Sequence, residues 1–178
     1  FIVSLFLLAT PAALAGEDRP TGEAAVAVLS KYVWRGYELS RNSVVVQPSM
    51  TIGWKGFSAN LWGNLDTNPY CGGSDGRDCS SSWNETDAVL SYTRPVGPLS
   101  IGGGYIYYGL GALNQNAADR RDSQEIFISA ALNTVLEPTL TVYKEVDYYR
   151  NWYFLLGISH VFELSKAVSL KLAATASY

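Results

Sequence analysis

Alternation with a period of two, held over runs of about ten residues, constrains this chain more than any other feature. Successive side chains on a β-strand point to opposite faces, so a run with apolar residues at every second position has one apolar and one polar face. From Glu125 onward the apolar series is Ile126, Ile128, Ala130 and Leu132, set against Glu125, Phe127, Ser129, Ala131 and Asn133. Leu140, Val142, Lys144, Val146 and Tyr148 alternate with Thr139, Thr141, Tyr143, Glu145 and Asp147. Val168, Leu170, Leu172, Ala174, Ala176 and Tyr178 alternate with Ser169, Lys171, Ala173, Thr175 and Ser177. Runs over residues 26–35, 44–54, 57–66 and 152–159 repeat the pattern, and helical spacing is sustained nowhere. The chain is therefore expected to be all-β, with about nine strands of roughly ten residues, the length of a tilted membrane-spanning strand. Strands of soluble sheets average about five or six residues.

The connections point the same way. Tight turns are expected at Lys55 and Gly56 and at Val96 and Gly97, each after an even strand. The two long loops, residues 67–83 and 109–122, each follow an odd strand. Membrane barrels have short periplasmic turns and long extracellular loops, which is the asymmetry expected if the N-terminus is periplasmic. The predicted architecture is an antiparallel up-and-down transmembrane β-barrel over residues 16–178. Single-chain bacterial barrels have even strand numbers, so the chain is read as truncated at its C-terminus, with about 10–12 strands when complete.

Residues 1–15, FIVSLFLLATPAALA, read as a cleaved signal peptide without its basic n-region. About 15 apolar residues broken by a proline are too few for a membrane helix. Export together with the barrel reading implies a Gram-negative outer-membrane location. In that compartment Cys71 and Cys79, within a Gly/Ser/Asp-rich loop, are expected to form one disulfide. The net charge is −3 and no basic block occurs, which argues against nucleic-acid binding.

In this frame the polar faces line a lumen. The residues expected there include Lys31, Arg35, Gln47, Asn60, Asp87, Glu125, Glu145 and Lys171. Both signs of charge are present, so two readings stay open: an ion-pair network that closes the interior, or a hydrated path with opposing charges. Tyr32, Trp34, Trp54, Tyr105, Tyr107, Tyr148 and Trp152 are expected near the strand ends as aromatic girdles, where a ring has one apolar and one wet end. Tyr32 and Trp34 fall late in the first strand on this reading. Lys144 falls on an apolar face and is placed near a rim, where its amine can snorkel. No catalytic, cofactor or metal site is expected. His160 and Ser159 are neighbours and point to opposite faces, and the run Gly102, Gly103, Gly104 sits inside a strand and lacks the lysine and helix of a phosphate loop.

One stretch carries a family resemblance. Residues 28–64 contain Tyr32-Val33-Trp34-Arg35-Gly36, then Gln47-Pro48, then Gly56-Phe57 through Trp62-Gly63-Asn64. This succession resembles the Gcw_chp family of uncharacterised bacterial outer-membrane proteins, the TorF-like porins. The resemblance extends more weakly to the strands around Asp87 and Tyr92 and around Gly103, Gly104 and Tyr105. It implies an outer-membrane β-barrel and a channel, with no established catalytic residue or cofactor. The expected function is passive passage of small polar solutes or ions, with outer-membrane lipid as the surrounding partner. A closed structural or surface-binding barrel is the alternative, and an outer-membrane enzyme a weaker third.

Overall fold

A computed structural model describes residues 19–69, 81–110, 122–147, 149–166 and 168–178. The expected signal segment, Cys71, Cys79 and Tyr148 lie outside these residues. The disulfide expected between Cys71 and Cys79 therefore also falls outside the described residues. No described helix is long and apolar enough to cross a membrane.

The chain is all-β. Its strands are β1 (Thr21–Leu29), β2 (Val33–Trp34), β3 (Tyr37–Glu38), β4 (Val45–Trp54), β5 (Phe57–Asp66), β6 (Ser82–Val96), β7 (Leu99–Leu110), β8 (Ser123–Leu132), β9 (Thr139–Glu145), β10 (Trp152–Ser165) and β11 (Val168–Ser177). Nine of them form one sheet in the order β1-β4-β5-β6-β7-β8-β9-β10-β11, while β2 and β3 pair only with each other. Every neighbour in the large sheet is the next long strand in sequence, and the pairings β1/β4, β4/β5, β8/β9, β9/β10 and β10/β11 are all antiparallel. The large sheet is thus an up-and-down meander. Two-residue turns follow from local chemistry: Lys55 (φ 49°) and Gly56 (φ 87°) both take the left-handed conformation of a type I′ hairpin.

The first expected strand is corrected. Alternation suggested a run through residues 26–35, but pairing with β4 spans Thr21↔Gly53 to Leu29↔Val45 and stops there. Beyond Leu29 the chain leaves the sheet. Arg35 (φ 49°) and Gly36 (φ 86°) then form a second hairpin turn between the pairs Trp34↔Tyr37 and Val33↔Glu38. Tyr32 and Trp34 therefore belong to a separate small hairpin and its approach, not to the end of β1.

The chain divides into two compact units, one of residues 1–90 and 106–123, the other of residues 91–105 and 124–178. In the first unit, Thr51 pairs opposite Asn60 on one face of β4/β5, and Met50 opposite Leu61 on the other. The polar face is the covered one: Gln47 is 9% exposed and Asn64 0%, against 52% for Met50 and 51% for Leu61. In the second unit Glu125 and Thr141 are buried, while Ile126, Ile128 and Leu140 are exposed. Among the described residues, Tyr32, Val45 and Tyr108 are the buried aliphatic or aromatic side chains, against ten buried polar or charged ones. This inverts the usual arrangement, in which aliphatic side chains dominate the interior.

Candidate functional site

The covered face of the first unit holds the densest polar cluster. On β4 and β5, Gln47 Nε2 donates to Asn64 Oδ1 (3.0 Å), and Asn64 Nδ2 passes the chain on to Asn84 Oδ1 of β6 (2.7 Å). Ser43 Oγ donates to Asp66 Oδ1 (2.5 Å), which also accepts the Asn68 N–H (2.9 Å). Asp66 Oδ2 and Asp87 Oδ1 are buried with no hydrogen-bond partner. Asn60 Nδ2 bridges to Thr51 Oγ1 (2.8 Å) and the Met50 carbonyl (3.3 Å).

β6 departs from strict alternation at its start. Trp83 Nε1 donates to Thr86 Oγ1 at 2.7 Å, so residues three apart share a face. Glu85 and Asp87 both turn to the covered side. The backbone opposite this irregularity comes close: a Cβ on Gly109 of β7 would lie 2.6 Å from the Thr86 carbonyl oxygen.

The small hairpin is laid on this cluster. The Tyr32 ring packs on Trp62 of β5 (centroids 5.7 Å apart), and Trp34 meets Tyr108 of β7 edge-on (6.0 Å, 76°). The Tyr32 hydroxyl donates to Glu85 of β6; burial first, and the Glu85 carboxylate second, push this phenol above its usual range, so it stays a neutral donor. The backbone of the segment is closed on itself: Tyr32 N–H donates to Ser40 Oγ (2.8 Å) and Leu39 N–H to the Tyr32 carbonyl (2.8 Å). Lys31 pairs with Glu38 at 2.9 Å, and the Arg35 guanidinium lies 4.4 Å from the Trp34 ring centre.

The second unit is built around a hairpin cap. Glu125 and Glu145 face each other across β8/β9, both buried. The Glu145 carboxylate accepts the Asp147 N–H (3.1 Å) and the Arg150 N–H, which ends β9 at Glu145 and ties down the connection to β10. Lys144 sits one residue from that end. Its amine reaches the Arg150 carbonyl and lies 4.9 Å from the Trp152 ring. Tyr105 donates to Gln124 (2.6 Å), Tyr143 packs between Phe127 and Tyr153, and Gln124 Nε2 reaches Asp147 (2.9 Å). In the first unit, the Tyr107 hydroxyl meets Asp122. Ser159 and His160 are each engaged by the 133–138 turn, Ser159 with Glu137 (3.4 Å) and His160 Nδ1 with the Val135 carbonyl (2.7 Å).

The residues expected on polar faces are thus dispersed. Gln47 and Asp87 lie in the first-unit cluster, with Asn60 farther along β5; Glu125 and Glu145 anchor the second unit. Lys171 stands on β11 opposite Val161, where every residue of the strand is exposed. Lys31 and Arg35 belong to the small hairpin. Among the aromatics, Trp54 ends β4 beside Lys55, and Trp152 opens β10; Tyr32 instead is buried. Glu85, Ser40, Ser43 and Tyr108 were not singled out from the sequence. Glu85 could have been: it shares the period-two face of Asp87 at the mouth of the long loop. Among the described residues no group of three or more His, Cys, Asp or Glu could hold a metal ion. No protein-family model matches the chain, and no curated protein or solved structure matches it either.

Proposed function

We propose that the chain forms the wall of a bacterial outer-membrane β-barrel that lets small polar solutes or ions pass. The observation that carries this reading is the inverted burial of the strands: polar faces covered, aliphatic faces exposed. In water, exposed faces as continuous as Met50, Ile52 and Leu61, or Ile126, Ile128 and Leu140, are an association liability. Against acyl chains each such side chain is stabilised by about 1.5–3 kcal/mol relative to water. Strand length supports the same reading, since β4, β5, β8 and β11 each have 10 residues, close to the ~9–11 that cross a bilayer at a tilt. So do the export signal expected at residues 1–15 and the motif resemblance of residues 28–64. In this reading Gln47, Asn60, Asp87, Glu125 and Glu145 face the aqueous interior, and no residue is assigned a catalytic step.

A closed barrel is the second reading, and the hydrogen-bonded and aromatic network over the covered face of β4 to β7 favours it. Planar-bilayer recording of the refolded full chain separates the two. Discrete conductance steps support the channel. A silent bilayer, with protein shown to be folded by its gel mobility before and after heating, supports the closed barrel and overturns the channel.

A further inference from the structure

We propose that residues 30–44, with the β2/β3 hairpin at their centre, form an inward-folded strap that narrows the path along the polar face. This rests on the channel reading above and names the part of the wall that sets its width. The segment joins β1 to β4, and its flanks Leu29 and Val45 are directly paired. A connection between two adjacent strands needs only a short turn at the sheet end. This one instead reaches past its own strands to three others in succession: Trp62 on β5, Glu85 on β6 and Tyr108 on β7. Trp62 shares the polar face of β5 with Asn60 and Asn64, while Glu85 and Tyr108 are buried, so the strap lies across the covered face rather than beyond the strand ends.

Its anchoring is of two kinds. Ser40 and Ser43 are almost fully buried, and Ser43 holds Asp66 at the end of β5. That pins the strap's return leg. The outer leg is held by ring contacts and by the single hydroxyl of Tyr32 on Glu85. Arg35 and Gly36 at the tip turn a ladder of only two pairs. Bulky aromatic side chains laid over a polar surface leave less cross-section for water and solute than the bare sheet would.

The test is single-channel recording of three refolded full chains: the natural sequence, a variant with residues 33–38 replaced by Gly-Gly, and Tyr32→Phe, which keeps the ring and removes only the hydroxyl. The strap account expects the shortened variant to conduct severalfold more than the natural chain, with Tyr32→Phe raising open-channel noise and the mean current. A natural chain that is silent and a shortened variant that conducts would also support the strap, as a full plug. Equal conductance in all three overturns the strap and leaves the channel standing. Silence in all three, with folding verified, overturns both. If the shortened variant does not fold, Tyr32→Phe decides alone: unchanged noise and current overturn the strap.

Discussion

Two hairpins in this molecule turn on the same chemistry and end in different places. Lys55-Gly56 and Arg35-Gly36 both put a cationic residue and then a glycine at positive φ, with nearly equal angles. The first turn closes ten-residue strands, whose ladder runs from Trp54↔Phe57 to Val45↔Asp66. The second closes strands of two residues. A two-stranded ribbon that short has no stability of its own. It holds its shape because Tyr32 and Trp34 seat on Trp62, Glu85 and Tyr108. Turn chemistry decides that a hairpin forms; the length of the ladder decides whether the sheet or the surrounding side chains fix its position.

Substitutions that strike the bed of the small hairpin should have the largest effect. Gly109→Ala drives a methyl group against the Thr86 backbone carbonyl, which cannot rotate away. A loss of about 1–3 kcal/mol is expected, read as a lower urea midpoint in detergent micelles, with the neighbouring Tyr108 and so Trp34 disturbed. A stability equal to that of the natural chain would show that β6 and β7 are not in close register there.

The turns themselves give the cleaner contrast. Alanine at a positive φ costs roughly 1 kcal/mol or more at either glycine. Gly56→Ala should lower the unfolding midpoint, because the turn is part of the main ladder. Gly36→Ala should leave that midpoint almost unchanged and act on the strap alone, as an altered current. Equal losses of global stability from both would break the distinction between a hairpin held by its ladder and one held by contacts.

The smallest effect is expected from the ion pair across the small hairpin. Lys31 and Glu38 are more than one-third exposed, so solvent screens them. Lys31→Ala should change stability by at most about 0.5 kcal/mol. A larger loss in the same urea titration would mean that charge, rather than the aromatic rings, holds the segment.

Alternation made the long strands and most of their turns legible, because a period of two repeats many times over ten residues. It failed at residues 30–38 for a definite reason. The pattern Val26, Val28, Ser30, Tyr32, Trp34 continues smoothly past the last paired residue, Leu29, and nothing local marks where pairing stops. The Arg35-Gly36 signal was as plain as Lys55-Gly56, yet the two-residue strands around it are too short to show a period. The destination of Tyr32 depends on partners that are 30 or more residues away in sequence, Trp62, Glu85 and Tyr108, and no local pattern specifies them. Glu85 was legible in principle, since it shares the period-two face of Asp87, but it stands at the mouth of the long loop, where the run of alternation has only begun. Gln47, Glu125 and Glu145 needed no such information, since each lies in a run whose alternation is unbroken.

The central claim is that the aliphatic faces meet lipid and the polar faces do not. Spin labels at single cysteines test it most directly, in a Cys71→Ser/Cys79→Ser background reconstituted into vesicles. Positions 128 and 140 belong to exposed aliphatic side chains, while 129 and 141 face each other on the covered side of β8/β9. Labels at 128 and 140 should be relaxed by oxygen dissolved in the bilayer and shielded from a water-soluble nickel complex, and labels at 129 and 141 should not share that lipid signature. Ready access of the nickel complex to positions 128 and 140 would contradict the account.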